Sequence, residues 1–222
     1  MKQVFSGLLL VLVLGMAVSC KKSKNAGSVS FQLRTQNKNA TIVAGRMQSG
    51  SLNWTSGSVF VEKIDFEAEK DDDMEWELES RVRRKIDLFG SVSQLGEIQL
   101  APGRYDEVEV ELDLGSPAGD TAVVLRGSYV NSAGTNIPVV FFIREAVELE
   151  AEAENVVLTG TEEYSFLTTF NLAQLTSGIS QSQLNNATLS NGVLVISATN
   201  NSSLYSKLLS NLNNMDGVEL DD

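Results

Sequence analysis

Whatever chemistry this chain performs would have to come from carboxylates, because 29 Asp and Glu stand against 17 Lys and Arg and there is no histidine. Without an imidazole, Ser-His-Asp and Cys-His catalysis, histidine zinc sites and imidazole proton shuttles are excluded. A glycoside hydrolase needs only two carboxyl groups about 5 to 10 Å apart. Here, however, nearly every Glu falls on the polar phase of an alternating segment, where solvation alone accounts for it. Asp71-Asp72-Asp73 has the first ligand spacing of a calcium loop, through Asp71 and Asp73. The glycine and the distal bidentate Glu of such a loop are missing, so a charged hairpin tip is expected and no metal. The glycines are scattered at turns, with no phosphate loop or dinucleotide fingerprint among them. No catalytic residue and no cofactor are therefore expected, and the chain is read as a non-enzyme. A net charge of -12, with no basic stripe to offset it, argues against nucleic acid.

Cys20 is the only cysteine and follows Ala17-Val18-Ser19. Before it lie a positive start at Lys2 and an apolar run from Gly7 to Val18, the layout of an export signal. A helix from Val4 to Val18 would cover roughly 22 Å, short of the ~30 Å hydrocarbon core. Small residues directly before a cysteine resemble the lipobox of bacterial lipoproteins, with Ala17 standing where that family prefers Leu. The resemblance implies lipidation of Cys20 and a membrane contact made through the N-terminal lipid. Residues 1–19 then form the signal peptide and 20–28 the anchor and tether. In surface-exported lipoproteins of Bacteroidota an acidic pair commonly follows the cysteine, whereas Lys21, Lys22 and Lys24 follow here. An outer-membrane lipoprotein facing the periplasm is the expected address.

Residues 29–222 are expected to form one domain, since their number suits a single sandwich with a substantial core. Period-two alternation dominates the first two thirds. Phe60, Ile64, Phe66 and Ala68 alternate with charged residues, as do Met74, Trp76, Leu78 and Val82, and the two runs are joined by Lys70-Asp71-Asp72-Asp73 as a hairpin. On this phase Trp76 belongs to the core, and the Glu-rich and Arg-rich stretches could pair across the strands. Further strands are read at 106–114 and 147–154, each with an all-acidic polar face, and at 29–34, 40–47, 123–129, 137–143 and 164–170. Phe141 and Phe142 must point to opposite faces, which calls for a second covering layer. In residues 161–222 the pattern changes to a small α/β segment: Asn171 caps a short helix, 193–197 is a strand, and Asn201 or Ser202 caps a helix with a stripe of Leu204, Leu208, Leu209 and Leu212. The fold class expected is mainly β, an antiparallel β-sandwich with a C-terminal α/β elaboration.

The succession Trp54-Thr55-Ser56-Gly57, Val61-Glu62-Lys63-Ile64-Asp65-Phe66, Lys85-Ile86-Asp87-Leu88-Phe89 and Leu100-Ala101-Pro102-Gly103-Arg104-Tyr105 resembles a group of uncharacterised Bacteroidota lipoproteins with transthyretin-like or related β-sandwich domains. The resemblance implies an envelope location and a sandwich, and brings no activity with it. Its most specific part is Pro102-Gly103, expected as a type II turn with Gly103 at positive φ and Tyr105 opening the next strand.

Two other residues invite a role. Trp54 could stack on a sugar as an exposed platform, and is the one candidate ligand contact. Thr121, in Asp120-Thr121-Ala122, resembles the short O-glycosylation motif of exported Bacteroidota proteins. Together these readings point to a lipid-anchored envelope protein that binds a glycan or a protein partner. The alternatives are a structural subunit of a surface fibre or adhesin and, third, a carboxylate-dependent glycoside hydrolase.

Overall fold

The computed structural model describes residues 27–37, 52–70, 74–115, 121–160, 163–215 and 218–221. Cys20, Asp71, Asp73 and the strand expected at 40–47 lie outside the described residues. The fold is mainly β with a small helical elaboration. Its strands are β1 (Gly27–Gln36), β2 (Leu52–Lys70), β3 (Met74–Asp87), β4 (Ser93–Leu100), β5 (Gly103–Leu114), β6 (Val123–Val130), β7 (Asn136–Ile143), β8 (Val147–Leu158), β9 (Glu163–Asn171), β10 (Leu189–Ser190), β11 (Val193–Ile196) and β12 (Val218–Asp221). Three helices interrupt the last third: α1 (Leu172–Leu175), α2 (Gln181–Asn185) and α3 (Ser202–Asn213).

The strands form two sheets. The smaller runs β12-β9-β1-β4; the larger runs β10-β11-β7-β6-β2-β5-β8, with β3 on the other edge of β2. β2 is the spine of the larger sheet. Its first half pairs with β6 and its second half with β5, so these two strands lie end to end along one side of it, and β3 runs along the other. At the splice, Phe60 donates its N–H to the Ala122 carbonyl and accepts from the Gly115 N–H, each at 2.9 Å. The two sheets meet through Phe31 of β1, Phe66 of β2 and Phe166 of β9, with ring centroids 5.5 to 6.2 Å apart. Each such ring stabilises the fold by about 1.5–3 kcal/mol on burial.

Two departures from a purely antiparallel sandwich follow from the C-terminal segment. β9 pairs in parallel with β1, and β11 in parallel with β7. Residues 161–222 are thus woven into both sheets, rather than appended to one. The expected helix caps are partly realised. The Asn171 side chain accepts from the N–H groups of Ala173 and Gln174, as a cap should. Asn201, by contrast, is left-handed (φ 53°) and makes no side-chain cap. Its amide instead bonds the Thr188 and Val195 carbonyls, both within 2.9 Å, and ties the start of α3 to the strands beside it. Leu204, Tyr205, Leu208 and Leu212 are the buried stripe of α3, and Tyr205 packs on Phe141 at 6.2 Å. That is the second layer called for by the Phe141-Phe142 pair; Phe142, on the opposite face, is half-buried with the Arg144 guanidinium over its ring.

Irregularities in β2 shift the expected phase. Its register with β3 and β5 breaks between Val61 and Lys63, a β-bulge that puts Val61, not Phe60, into the core and restores Ile64, Phe66 and Ala68 to the same face. Pro102-Gly103 also differs from expectation. Gly103 has φ 152° and is the first residue of β5, whereas the third position of a type II turn lies near +80°. Tyr105 is fully buried, and its hydroxyl donates to the Ala101 carbonyl at 2.7 Å, clamping the strand entry.

Candidate functional site: a carboxylate-covered sheet face

The polar phases of β3, β2, β5 and β8 all emerge on one outer face, and pairing places them in register. The first row across these four strands is Glu75, Glu69, Glu107 and Glu154, and the second is Glu77, Glu67, Glu109 and Glu152. The third is Glu79, Asp65, Glu111 and Glu150, and the fourth Arg81, Lys63, Asp113 and Glu148. Like charges directly opposite one another destabilise a sheet. Alternation on each strand is visible in the sequence, but the alignment of four such strands is not. The expected pairing of Glu-rich with Arg-rich stretches across β2 and β3 is replaced, in three of the four rows, by carboxylate facing carboxylate.

Repulsion and partial burial raise several of these acids above the ordinary carboxylate range. Glu75 is pushed up chiefly by Glu77, and Glu107 chiefly by Glu152. For Glu109 burial leads, followed by Glu150. Glu111 is pushed up to about 7, by burial first and then by a hydrogen bond and charge repulsion from Asp113. It therefore keeps its proton well above the ordinary carboxylate range, toward neutral pH.

Lys63 is the cation that relieves the inner end of the array. Its ammonium bonds the carboxylate of Asp65 on its own strand and that of Asp113 on β5, the latter at 3.2 Å. Both bonds raise its pKa. Carboxylate oxygens of Asp65, Glu111 and Asp113 come within 4.8 Å of one another, a spacing that could hold a cation. The Lys63 ammonium already bonds two of the three. Chemically the face can attract and hold positive charge and exchange a proton near pH 7.

The sequence-derived candidates fare differently. Trp54 is 2% exposed, in the core beside Gly127 of β6, and cannot serve as a stacking platform. Its bulge neighbour Thr55 takes the exposed position instead, because the β2–β6 register shifts between Trp54 and Ser56. The Trp54 indole N–H has no hydrogen-bond partner among the described residues. Trp76, expected in the core, is 45% exposed, and Leu78 is 41% exposed. Their phase is right, since they oppose the buried Ala68 and Phe66. Among the described residues the hydrogen bond between β3 and the smaller sheet lies near the other end of β3, where Arg84 bonds the Gln94 carbonyl of β4, away from these two side chains. Thr121 is half-buried, just before Ala122, which is fully buried at the start of β6. Among the described residues no helix is long and apolar enough to cross a membrane. No protein-family model matches the chain, and no significant similarity to a curated protein or a solved structure is found.

Proposed function

We propose that this protein is a lipid-anchored, non-enzymatic component of the cell envelope that binds a basic protein partner on its carboxylate-covered face. The observation that carries this reading is the registry of acidic residues across β3, β2, β5 and β8, three rows of which consist of carboxylates alone, with Lys63 and Arg81 of the fourth row reaching only Asp65 and Glu79 of the third. Such an arrangement destabilises the sheet it sits on, and a partner that brings lysines and arginines relieves it. From strand spacing and rise, four strands by four rows measure roughly 14 by 20 Å, about 280 Å², an open patch that supplies part of a protein interface of about 800 Å² per partner. Charge of this kind accelerates encounter and sets orientation more than it adds affinity. With Trp54 in the core, the glycan form of the binding hypothesis has lost its residue, and the protein form is preferred. The lipid anchor rests on Cys20 and the leader before it.

The test uses the full chain in membranes and two peptide probes of equal length, one lysine-rich and one glutamate-rich. The lysine-rich probe should bind with an affinity that falls as salt is raised, while the glutamate-rich one should not bind. Combining Glu67→Gln, Glu109→Gln and Glu152→Gln should weaken binding about tenfold or more. Equal binding of both probes, or no effect of the three substitutions, would sink the reading.

A further inference from the structure

β3 is an edge strand: among the described residues β2 is its only strand partner. Its N-terminal half is exposed on both faces. Glu75, Glu77 and Glu79 emerge on the acidic side, while Trp76 and Leu78 lie uncovered on the core side. Exposed edges with apolar side chains recruit another strand unless they are guarded. The guards here are charges, and those charges are arranged antisymmetrically about Ser80: Glu75, Glu77 and Glu79 precede it, and Arg81, Arg83 and Lys85 follow it.

We propose that two copies of this protein pair through their β3 strands, antiparallel, about a two-fold axis at Ser80. In that register Glu79, which bonds Arg81 of its own strand at 3.4 Å, also faces Arg81 of the second copy, Glu77 faces Arg83 and Glu75 faces Lys85, and each pair occurs twice because the interface is isologous. On the core side Leu78 meets Val82 and Trp76 meets the aliphatic stem of Arg84, whose guanidinium bonds the Gln94 carbonyl of its own chain, so both exposed apolar groups gain cover. Neighbouring registers lose the match. Sliding so that the axis falls on Glu79 sets that carboxylate against itself, and an axis on Arg81 does the same for the guanidinium; like charges opposed are destabilising. Arg83 is left-handed (φ 44°) and bonds Glu62 at 2.8 Å, which marks a bulge in β3. The ladder is therefore centred on Leu78 to Val82, with the outer pairs contributing charge rather than regular hydrogen bonds. Such a two-fold contact closes on itself. It yields a dimer in which the two acidic faces lie side by side, and the β3 contact itself does not propagate.

Cysteine cross-linking of the full chain in membranes tests this. At a two-fold axis directly opposed Cβ atoms are about 4.5–5.5 Å apart, within reach of a disulfide after slight adjustment. Under mild oxidation Ser80→Cys should give a covalent dimer in high yield, and Ser91→Cys, in the exposed turn after β3, should not; the parent, carrying Cys20 alone, sets the background. Adding Arg81→Glu to Ser80→Cys should cut the yield about tenfold, since each substitution counts twice across the axis. Adding Glu79→Arg as well should restore it. Cross-linking no better at 80 than at 91, indifference to the charge reversal, or a Ser80→Cys product joined to a different polypeptide would each overturn the proposal.

Discussion

Lys63 of β2 and Asp113 of β5 stand opposite each other in the sheet and are joined at 3.2 Å, in the only one of the four acidic rows that contains cations. Everything beyond that row toward Glu75 and Glu154 is carboxylate. With Lys63–Asp65 and Arg81–Glu79, the pair answers from within the chain the repulsion accumulated along four strands.

Replacing Lys63 by Gln should lower the melting temperature at pH 8, and the loss should shrink toward pH 5 as Glu111 takes up its proton. The parent should melt at the same temperature in calcium and in chelator, because an ammonium already bonds Asp65 and Asp113. A large calcium-dependent shift in the parent would show that the carboxylates are a metal site after all.

Glu111 titrates at about 7 when folded, against 4.5 ordinarily. Between those values the folded chain binds the proton that the unfolded chain has released, so stability must fall as pH rises from about 4.5 to about 7. Glu75, Glu107 and Glu109 are shifted the same way and add to the trend. Melting curves from pH 5 to 8 should show the protein more stable at the acid end, and Glu111→Gln should flatten that dependence. A parent whose melting point rises over this interval would contradict the crowding described.

Trp54 separates packing from polarity. Trp54→Ala should cost about 3–5 kcal/mol through the cavity it leaves. Trp54→Phe should cost markedly less, because it removes an indole N–H that has no described partner and keeps most of the apolar bulk. Chemical denaturation of both variants, compared at constant m-value, measures the difference.

At the entry to β5, Gly103→Val should destabilise by about 1–3 kcal/mol, since φ 152° is a conformation that a branched side chain rarely adopts. Tyr105→Phe should cost about 0.5–1.5 kcal/mol, the worth of its bond to Ala101. Neither change should alter binding of the lysine-rich probe, which a titration on the same samples checks.

The anchor is tested by fractionation. Cys20→Ala should move the protein from the membrane pellet to the soluble fraction, because a lipid chain contributes ~0.8 kcal/mol per buried methylene and its loss leaves nothing comparable among the described helices. A variant that still sediments with membranes would break the link between Cys20 and location.

Alternation was legible wherever a strand is regular: the acidic and apolar phases of β5 and β8, and the β2–β3 hairpin, follow directly from period two. What escaped is what depends on partners. The bulge at Val61 to Lys63 inserts a residue, and parity computed from Phe60 then fails for its neighbour. Trp76 has the phase of a core residue and lacks only a covering layer, which no local pattern records. The parallel pairing of β1 with β9 joins segments too far apart in sequence for periodicity to connect them. The candidate site is a case of the same kind: each strand announces its own glutamates, but only register reveals that they stand in rows.

That distant pairing governs the order in which the molecule can be completed. β1 is held between β4 and β9, and its ladder with β9 matches Ser28 with Glu163 and Gln36 with Asn171. During synthesis β1, the first of the described strands, must wait, one edge unpaired, until some 135 further residues have emerged. Loop closure over such a span delays nucleation and makes folding slow for a chain of this size. A ribosome-stalled chain ending before Tyr164 should accordingly leave the β1 amides that face β9 exchanging freely, while the β2–β3 hairpin, closed within its own neighbourhood, is already protected.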